Sequence, residues 1–517
     1  MTDEESPASQ EESPASQRAR PCPRTEEGGS EVRADDRRGR RQGSRAPGGE
    51  RESTARAVTD AILADLATAE RGVVVDSPPG AGKSTLVVAA AALLAERGER
   101  VMVVGQTNEQ VDDLIDRMAG EHGVLQIGRL SAQDYTPTER VARHQNVTAR
   151  TAVADLVDHP VVIATAAKWA MLANTGLANT GLANTGLTNT GLTGTGLDTE
   201  ARWPWAIIDE AYQMRSDSLL RIAHLFSKAL FVGDPGQLDP FSTVETERWL
   251  GLNWDPMSSA VAVLLTNNPG IPVHTLPVSW RLPATAAPVV SAAFYPFSGF
   301  VAATELSDRA IRWNTRPFGI TSFDLALQTA GDTGWALYEL PHRHTLRTDA
   351  EAVDACAELA ARLLLRGAVA VSERGTHDVT ADRIAIGVAH RDQAAAVKRA
   401  LRARAAAYPV LSLDVTKVVA DTANRLQGRE FDVMIMLHPL SGRRDATAFH
   451  LEAGRLCVLA SRHRHACVVV ARAGIPELLD AHPSAEPVHL GVPVKFPDGW
   501  EAHQSFMAHL ATFRVPK

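Results

Sequence analysis

Short apolar runs alternate with amphipathic segments from Thr54 onward. The clearest apolar runs in the first half of the chain are residues 73–75, 101–104, 161–164, 206–208 and 230–232. Most are rich in β-branched residues, and each is followed by a segment whose apolar residues have the spacing of an amphipathic helix. This alternation predicts a parallel sheet covered by helices.

A second series of strands and helices begins near Leu276, and its clearest apolar runs are residues 384–388, 433–437 and 468–470. The pattern therefore predicts an α/β chain with two parallel-sheet domains in tandem, joined near residues 270–280. We assign residues 53–275 to the first domain and residues 276–517 to the second.

Two low-complexity tracts interrupt this pattern. Residues 1–52 have few large apolar side chains and cannot bury enough surface to fold, so we predict a disordered N-terminal arm. Its arginine cluster at 37–41 is read as a solvated arm in preference to a nucleic-acid contact. Residues 172–196 are five pentapeptides of the LANTG type, typical of a flexible or solenoid-like surface insertion within the first domain. Either tract remains a candidate contact for a protein partner.

Composition narrows the class of protein. The chain has 517 residues and a formal net charge of −8, which does not indicate bulk attraction to nucleic acid, although a local basic groove is compatible with it. Its four cysteines form no CxxC pair, which argues against zinc and against a disulfide framework. No segment resembles a signal peptide or membrane span, so we expect a cytoplasmic protein.

A glycine-rich turn follows the apolar run at 73–75 and leads into a helical segment. Residues 77–85 read SPPGAGKST, which matches the phosphate-binding pattern GxxxxGK[ST] except for a serine at the first position. Backbone N–H groups of such a turn point at phosphate oxygens, its lysine reaches the outer phosphates and its final serine binds Mg²⁺. We predict an ATP and Mg²⁺ site formed by Pro79, Gly80, Ala81, Gly82, Lys83, Ser84 and Thr85.

Two carboxylates, Asp209 and Glu210, end a later buried strand, where ligands bind in open parallel sheets. Asp209 is a candidate Mg²⁺ ligand with Ser84, and Glu210 is a candidate base for the attacking water. After the next strand, Gln237 could sense the γ-phosphate. The alternatives are an inert pair of strand-capping acids and an ordinary Asp-Pro-Gly turn.

These motifs resemble those of superfamily 1 helicases of the Upf-like, 5′-to-3′ branch. SPPGAGKST, DEAYQ at 209–213 and GDPGQLDP at 233–240 are similar to motifs I, II and III. Residues 103–114, 276–282, 427–430 and 455–462 are similar to motifs Ia, IV, V and VI, in the expected order. The resemblance covers about residues 54–475 and implies two RecA-like domains.

The resemblance also implies roles for residues of both domains. Arg281 and Arg462 correspond to arginine fingers that reach the γ-phosphate from the second domain. Trp280 corresponds to an aromatic that stacks on adenine, with a core position as the alternative, and Glu430 to a residue that reaches the ribose. The positions that touch the phosphate backbone of a single strand of DNA or RNA are Thr107, Asn108, Thr165 and Thr422, for which ordinary structural roles remain open.

Several positions depart from the family pattern. Thr54 stands where the family has the glutamine that reads adenine, so a choice of ATP over GTP does not follow. Asn424, Arg425 and Ser461 replace commoner residues of motifs V and VI. The sequence ahead of motif I has no room for the accessory barrel of many relatives, which fits a motor that translocates or remodels without strong unwinding.

The leading hypothesis is therefore a nucleic-acid-dependent ATPase of the helicase type. The alternative is a nucleotide-switched interaction protein with little unwinding, and a small-molecule kinase is a distant third. DNA against RNA, direction of movement and oligomeric state stay open.

Overall fold

The structure is a computed structural model, and it describes residues 47–179, 203–238, 240, 249, 252, 254–314, 321–409, 415–483 and 498–517. The predicted arm, up to residue 46, and the part of the repeat tract from residue 180 onward lie outside these ranges, as does Cys22.

In the first half of the described chain, helices and strands alternate as the apolar pattern predicts. The strands are β1 Gly72–Asp76, β2 Val101–Gly105, β3 Ile127–Leu130, β4 Val147–Arg150, β5 Val161–Thr165, β6 Trp203–Asp209, β7 Phe226–Gly233 and β8 Val273–Thr275. The helices are α1 Pro47–Thr68, α2 Lys83–Glu96, α3 Asn108–Glu121, α4 Glu139–Ala142, α5 Ala166–Asn179, α6 Ser216–Ile222 and α7 Ala260–Asn267.

These strands form one parallel sheet with the order β4-β3-β5-β2-β6-β7-β1-β8 in the described chain. Alternate residues of each strand enter two different cores: Val73 and Val75 pack on one face and Val74 on the other, all fully buried. Burial on both faces explains why the strands read as continuous apolar runs.

The second half contains a further sheet and two small ones. Its strands are β9 Val278–Ser279, β10 Val301–Ala302, β11 Ala310–Trp313, β12 Trp335–Leu340, β13 Ala368–Ser372, β14 Gly375–Asp378, β15 Ile384–Val388, β16 Val419–Thr422, β17 Phe431–Leu437, β18 His463–Arg472 and β19 Arg514–Pro516. Its helices are α8 Ala287–Phe294, α9 Ser322–Thr333, α10 Ala350–Leu365, α11 Arg391–Ala407, α12 Ala423–Leu426, α13 Ala448–Leu451, α14 Ala453–Ala460, α15 Ile475–Ala481 and α16 Gly499–Leu510.

Six of these strands form a second parallel sheet with the order β16-β15-β17-β18-β12-β19 in the described ranges. Its two faces also have separate cores, with Trp335 and Leu337 on one and Ala336 and Tyr338 on the other. The prediction of a two-sheet α/β fold is therefore confirmed. The residue limits of the two domains stay a prediction, and β8, the last strand of the first sheet, ends at Thr275.

Two boundaries differ from the sequence prediction. Helix α1 begins at Pro47, six residues inside the segment predicted to be disordered, and Arg51 donates to the carbonyl of Thr304 at 2.9 Å. Helix α5 runs to Asn179 and so includes the first eight residues of the repeat tract. Burial of Trp169 and Ala173 favours helix there despite the turn-forming composition.

No helix in the described ranges has both the length and the apolar character that crossing a membrane requires. Within the same ranges there is no cluster of three or more His, Cys, Asp or Glu side chains arranged to hold a metal ion.

Candidate active site

The phosphate-binding turn connects β1 to α2. Gly80 and Gly82 have φ values of 73° and 94°, in the left-handed region that favours glycine, and Gly82 is the N-cap of α2. A Cβ atom at Gly80 would collide with the backbone and Cβ of Arg281. Both glycines therefore allow the turn to curve. Gly80 also lets Arg281, from the second half of the chain, approach the turn closely.

Lys83 lies at the first position of α2 and pairs with both carboxylates at the end of β6. Its Nζ is 3.0 Å from Asp209 Oδ1 and also contacts Glu210 Oε1. Burial works to lower the pKa of Lys83, but the two carboxylates more than offset it, so the pKa is raised. Burial raises the pKa of Asp209, and Lys83 opposes that shift. The predicted lysine and both predicted acids therefore meet at one point.

Glu210 has a φ of 53° and is the one non-glycine residue of the described chain with a left-handed backbone. Such a conformation costs about 1–2 kcal/mol for an ordinary residue and concentrates at functional sites. It turns the chain sharply after β6, and Gln213 Nε2 then donates to Glu210 Oε2 at 2.9 Å. The side chain of Glu210 is thereby held against Lys83.

Gln237 sits in the turn after β7 and contacts residues from several motifs. Its Nε2 donates to Asp234 Oδ2 at 2.7 Å, and its Oε1 accepts from Gln427 Nε2 at 2.5 Å. Tyr295 Oη donates to Asp234 Oδ1 at 2.6 Å. Burial raises the pKa of Asp234, while the donors from Tyr295 and Gln237 oppose the shift. This network joins the first sheet to Gln427 and Tyr295 of the second half.

Trp280 and Ser279 attach the start of the second half directly to the phosphate-binding turn. Trp280 N donates to the Gly80 carbonyl at 2.9 Å, and Ser279 Oγ donates to the Pro79 carbonyl at 2.6 Å. The Trp280 residue is 41% exposed, and its ring lies about 4 Å from where a Cβ of Gly82 would be. Trp280 is therefore a wall of the cleft, and the core alternative does not describe it.

Arg281 follows Trp280 and pairs with Glu430. Arg281 Nε is 3.1 Å from Glu430 Oε2, and Arg464 Nη1 is 2.6 Å from Glu430 Oε1. Burial works to raise the pKa of Glu430, but the two guanidinium groups outweigh it and the pKa is lowered. Glu430 thus stays ionised and holds two arginines at the mouth of the cleft.

Arg462 is fully buried just before β18. Its Nε donates to the Val458 carbonyl at 3.1 Å and its Nη2 to Ser461 Oγ at 3.3 Å, whereas Nη1 has no hydrogen-bond partner among the described residues. Burial and the charge of Arg281 lower the pKa of Arg462 to about 10. An unpartnered buried guanidinium nitrogen is costly unless an anion satisfies it.

A cavity of about 560 Å³, within the size range of nucleotide sites, lies beside the phosphate-binding turn. Its lining includes Gly80, Gly82, Trp280, Arg281 and Glu430. Its lining residues do not include Lys83, Asp209, Glu210, Gln237 or Arg462. A glycine cradle, a buried lysine, two carboxylates and two arginines form a donor set suited to a nucleoside triphosphate with Mg²⁺.

Helix α1 supplies part of the cavity wall, which the sequence reasoning missed. Ala55, Arg56 and Thr59 line the cavity, whereas the hydroxyl of Thr54, the position compared with the adenine-reading glutamine, bonds back to the Glu50 carbonyl at 2.9 Å. Further lining residues outside the predicted set are Glu52, Leu86, Ala89, Arg117, Leu276, Pro277, Val278, Arg374 and Arg464. Positions 52, 55, 56 and 59 have the spacing of one face of a helix, and this pattern could have indicated that α1 contributes a wall to the site.

The four residues predicted to contact nucleic acid lie at or just after the carboxyl ends of β-strands. Gly105 of β2 pairs with Thr165, so Thr107 and Asn108 share an edge with Thr165, and Thr422 ends β16 in the second sheet. Thr107 Oγ1 accepts from Gln110 N at 3.2 Å, and Thr165 Oγ1 accepts from Lys168 N at 3.3 Å.

In both threonines the accepted bond leaves the hydroxyl proton for another acceptor. Asn108 Oδ1 accepts from Arg129 Nη2 at 2.8 Å, and Thr422 is buried. The nucleic-acid role of all four residues stays a prediction.

Comparison with known proteins adds a family match. Residues 59–251 match the family model of an AAA domain. No similar protein was found among curated proteins.

Solved structures with a similar chain path include arterivirus nonstructural protein 10, a helicase, at 13% identity and a TM-score of 0.38, covering 81% of this chain and 61% of that one. The complex of that protein with DNA matches at 11% identity and a TM-score of 0.37, covering 81% and 63%. The PRRSV helicase matches at 11% identity and a TM-score of 0.35, covering 84% and 58%. The chain spans about three fifths of the length of these helicases.

The AAA match covers the turn with Lys83 and the strand end with Asp209 and Glu210. The remaining motifs lie on the second half in the order of the family. The first half of the chain therefore contains an AAA domain with a phosphate-binding turn, and the order of the motifs along the chain resembles that of superfamily 1 helicases.

Proposed function

We propose that the chain is an ATPase of the helicase type, stimulated by single-stranded DNA or RNA, that moves along or remodels its strand. The single observation that supports this most is the close packing of the second half of the chain on the nucleotide motifs of the first: Arg281 contacts the phosphate-binding turn at Gly80, and α14, the helix before Arg462, contacts the turn of motif III at Gln237. A stationary nucleotide-binding protein does not require cationic groups from a second sheet at this place.

ATP would be held by the turn of Pro79 to Thr85, with the base beside Trp280 and α1. Mg²⁺ would be held by Ser84 and Asp209 and, when bound, would neutralise charge on the phosphates. Glu210 would take a proton from the attacking water, and its hydrogen bond with Gln213 supports this role by fixing the side chain. Lys83 would exchange its carboxylate partners for phosphate oxygens.

The two arginines would complete the site. Arg281 exchanges Glu430 for a phosphate oxygen, and Arg462 uses its unpartnered Nη1 for the same purpose. A guanidinium in this role contributes about 10³ to 10⁵ in rate. Because both arginines lie on the second half of the chain, hydrolysis and release of phosphate change the attraction between the two sheets, which is the origin of movement along a strand.

The test is ATP hydrolysis by the purified chain with single-stranded DNA, single-stranded RNA or duplex, and with GTP as a second nucleotide. We expect a single strand to raise the rate, and Glu210→Gln to lower it by about 10² to 10⁴ because the base is lost. Lys83→Ala should abolish turnover through loss of phosphate contacts. Glu121→Gln, at an exposed position of α3, is the matched control and should match the unaltered chain.

Turnover that no polynucleotide alters would contradict the motor proposal. Tight nucleotide binding with very slow turnover would instead support the alternative of a nucleotide-switched interaction protein. In that case, partners captured through the N-terminal arm or the repeat tract become the next question.

A further inference from the structure

A second cavity, of about 250 Å³, lies at the carboxyl edge of the second sheet, where β12, β17 and β18 end. It shares no lining residue with the nucleotide cavity. Three arginines line it, Arg343, Arg443 and Arg444, and Glu477 is the one carboxylate among its lining residues. The cavity wall therefore has an excess of positive charge at neutral pH.

Two glycines with left-handed backbones allow this cavity to form. Gly442 has a φ of 67° and Gly474 a φ of 98°. A Cβ atom at Gly474 would collide with the ring of His342, and one at Gly442 would contact Thr345 Oγ1 at 2.5 Å. Thr345 N also donates to the Gly442 carbonyl at 2.8 Å. The loop after β12 is thereby held close against the loops after β17 and β18.

The arginines of this cavity are only partly neutralised. Arg343 pairs with Glu351 at 3.0 Å, but Glu351 is also shared with Arg472 at 2.7 Å and with Lys517. Arg443 Nη2 pairs with Asp445 at 2.6 Å, while its Nε is buried and has no hydrogen-bond partner within the described ranges. Arg444 is exposed and has no ion pair in the same ranges.

We infer that this cavity binds a phosphate group, and that the phosphate belongs to the bound polynucleotide. Guanidinium forks match phosphate oxygens, and the volume suits a phosphate better than a complete nucleotide. The choice of a polynucleotide rests on the proposed function. A free phosphate would offer the same chemistry, so the experiment below has an arm for each source.

The position of the cavity supports a polynucleotide. β16, which ends at Thr422, and β18 are three neighbours apart in the sheet, so the cavity lies about 15 Å from Thr422 along the same edge. A nucleic-acid strand bound at Thr422 must therefore extend several nucleotides beyond that residue to reach the cavity. Length dependence then becomes a readout that a merely structural role of the arginines does not produce.

The first arm measures binding of single-stranded oligonucleotides of 3 and 20 nucleotides by fluorescence anisotropy as a function of salt, because three nucleotides span only about 10 Å. For Arg443→Ala with Arg444→Ala we expect about tenfold weaker binding of the longer strand and a log–log salt slope reduced by about 1.4, from two lost phosphate contacts. The shorter strand should be unaffected. Arg402→Ala, at an exposed position of α11, is the matched control.

The second arm titrates inorganic phosphate by calorimetry into the full chain carrying Lys83→Ala, with and without the two arginine substitutions. Loss of affinity for the long strand supports the inference as stated. Loss in the phosphate arm alone assigns the cavity to free phosphate and overturns the polynucleotide as its source. No change in either arm overturns the site altogether.

Folding is checked separately, because Arg443 is partly buried. Arg444→Ala alone, at an exposed position, should leave the unfolding temperature unchanged and still weaken binding of the longer oligonucleotide, by a smaller factor than the double substitution. Arg444→Lys should restore part of that binding. If the unaltered chain binds no oligonucleotide, the proposed function fails, and the phosphate arm still decides whether the cavity is an anion site.

Discussion

At the scale of single residues, Tyr295 connects the motifs of the two halves. It follows α8, donates to Asp234 and lies 3.5 Å from Cys457 Sγ in α14. Gly236 leaves room for it, because a Cβ there would collide with the Tyr295 ring. Asp234 in turn orients Gln237. The hydroxyl of Tyr295 is therefore a positioning group for motif III.

Tyr295→Phe should remove one donor from a buried carboxylate and lower the free energy of unfolding by about 1–3 kcal/mol. We expect ATP turnover to fall by about tenfold while nucleotide affinity stays within about twofold, because Gln237 loses its orientation and the phosphate-binding turn does not. Steady-state kinetics and nucleotide titration check this.

The matched control for that experiment is Tyr408→Phe. Tyr408 Oη donates to Glu358 Oε1 at 3.2 Å, so this substitution also removes a tyrosine–carboxylate bond, but outside the cleft. Equal loss of turnover in both variants would show that Tyr295 acts on stability alone.

Tyr295 differs in a physical way from the site residues that the sequence predicted. Lys83, Asp209 and Glu210 were predictable because a strand end and a glycine turn give them a local signature. Tyr295 has no such signature. It follows a helix in a segment without a motif, and its importance comes from Asp234, 61 positions away.

At the scale of elements, α14 packs on the turn of motif III. A Cβ atom at Gly454 would lie 2.8 Å from the Gln237 carbonyl oxygen and 2.9 Å from Leu238 N, closer than real Cβ contacts allow. The helix that precedes Arg462 can therefore approach motif III only because its second residue is glycine.

Gly454→Ala should push α14, and with it Arg462, away from motif III. We expect ATP turnover to fall by tenfold or more while nucleotide binding is retained, since the residues of the phosphate-binding turn are untouched. Gly120→Ala in α3 is the control, because a Cβ there meets only His144 at an ordinary 3.8 Å. Unchanged turnover in Gly454→Ala would mean that α14 does not set the position of Arg462.

The elements that could be predicted are those buried on both faces. Residues 384–388 were predicted as a strand and form β15 with the same bounds. By contrast, β14 is exposed along its whole length and reads as polar, so the antiparallel sheet that it forms with β13 and β11 was not predicted, although β13 itself is apolar. The start of α1 is likewise polar, and its contacts with Thr304 and Glu305 are distant in sequence.

At the scale of the whole molecule, buried histidines link stability to pH. Burial lowers the pKa of His463 to about 3 and that of His503 to about 3. Both ring nitrogens of His463 have no hydrogen-bond partner in the described ranges. The folded chain therefore keeps these rings neutral at pH values where the unfolded chain protonates them.

The sign follows from proton uptake. Above about pH 6.5 neither state is protonated at these rings and stability is unaffected, whereas from pH 6.5 down to about 3 the unfolded chain binds protons that the folded chain does not. We expect each histidine to lower the free energy of unfolding by about 2 kcal/mol at pH 5. Chemical denaturation at pH 7, 6 and 5 measures this loss.

His463→Leu should remove its share of the acid loss, because leucine has a similar volume and no proton to gain. Its ring neighbour Trp335, at a centroid distance of 4.9 Å, retains an apolar contact. Between about pH 6 and pH 3, the slope of the unfolding free energy against pH should decrease by about 1.4 kcal/mol per pH unit, which corresponds to one proton fewer taken up on unfolding. An unchanged slope would show that His463 is protonated in the folded chain.

Helix α1 lines the first cavity through Ala55 and Arg56, and one turn earlier Arg51 donates a hydrogen bond to Thr304 in the loop after β10. If ATP binds as proposed, one helix would contact both the bound base and the second half of the chain. A substitution in α1 would then be expected to change nucleotide preference and the closure of the two halves together.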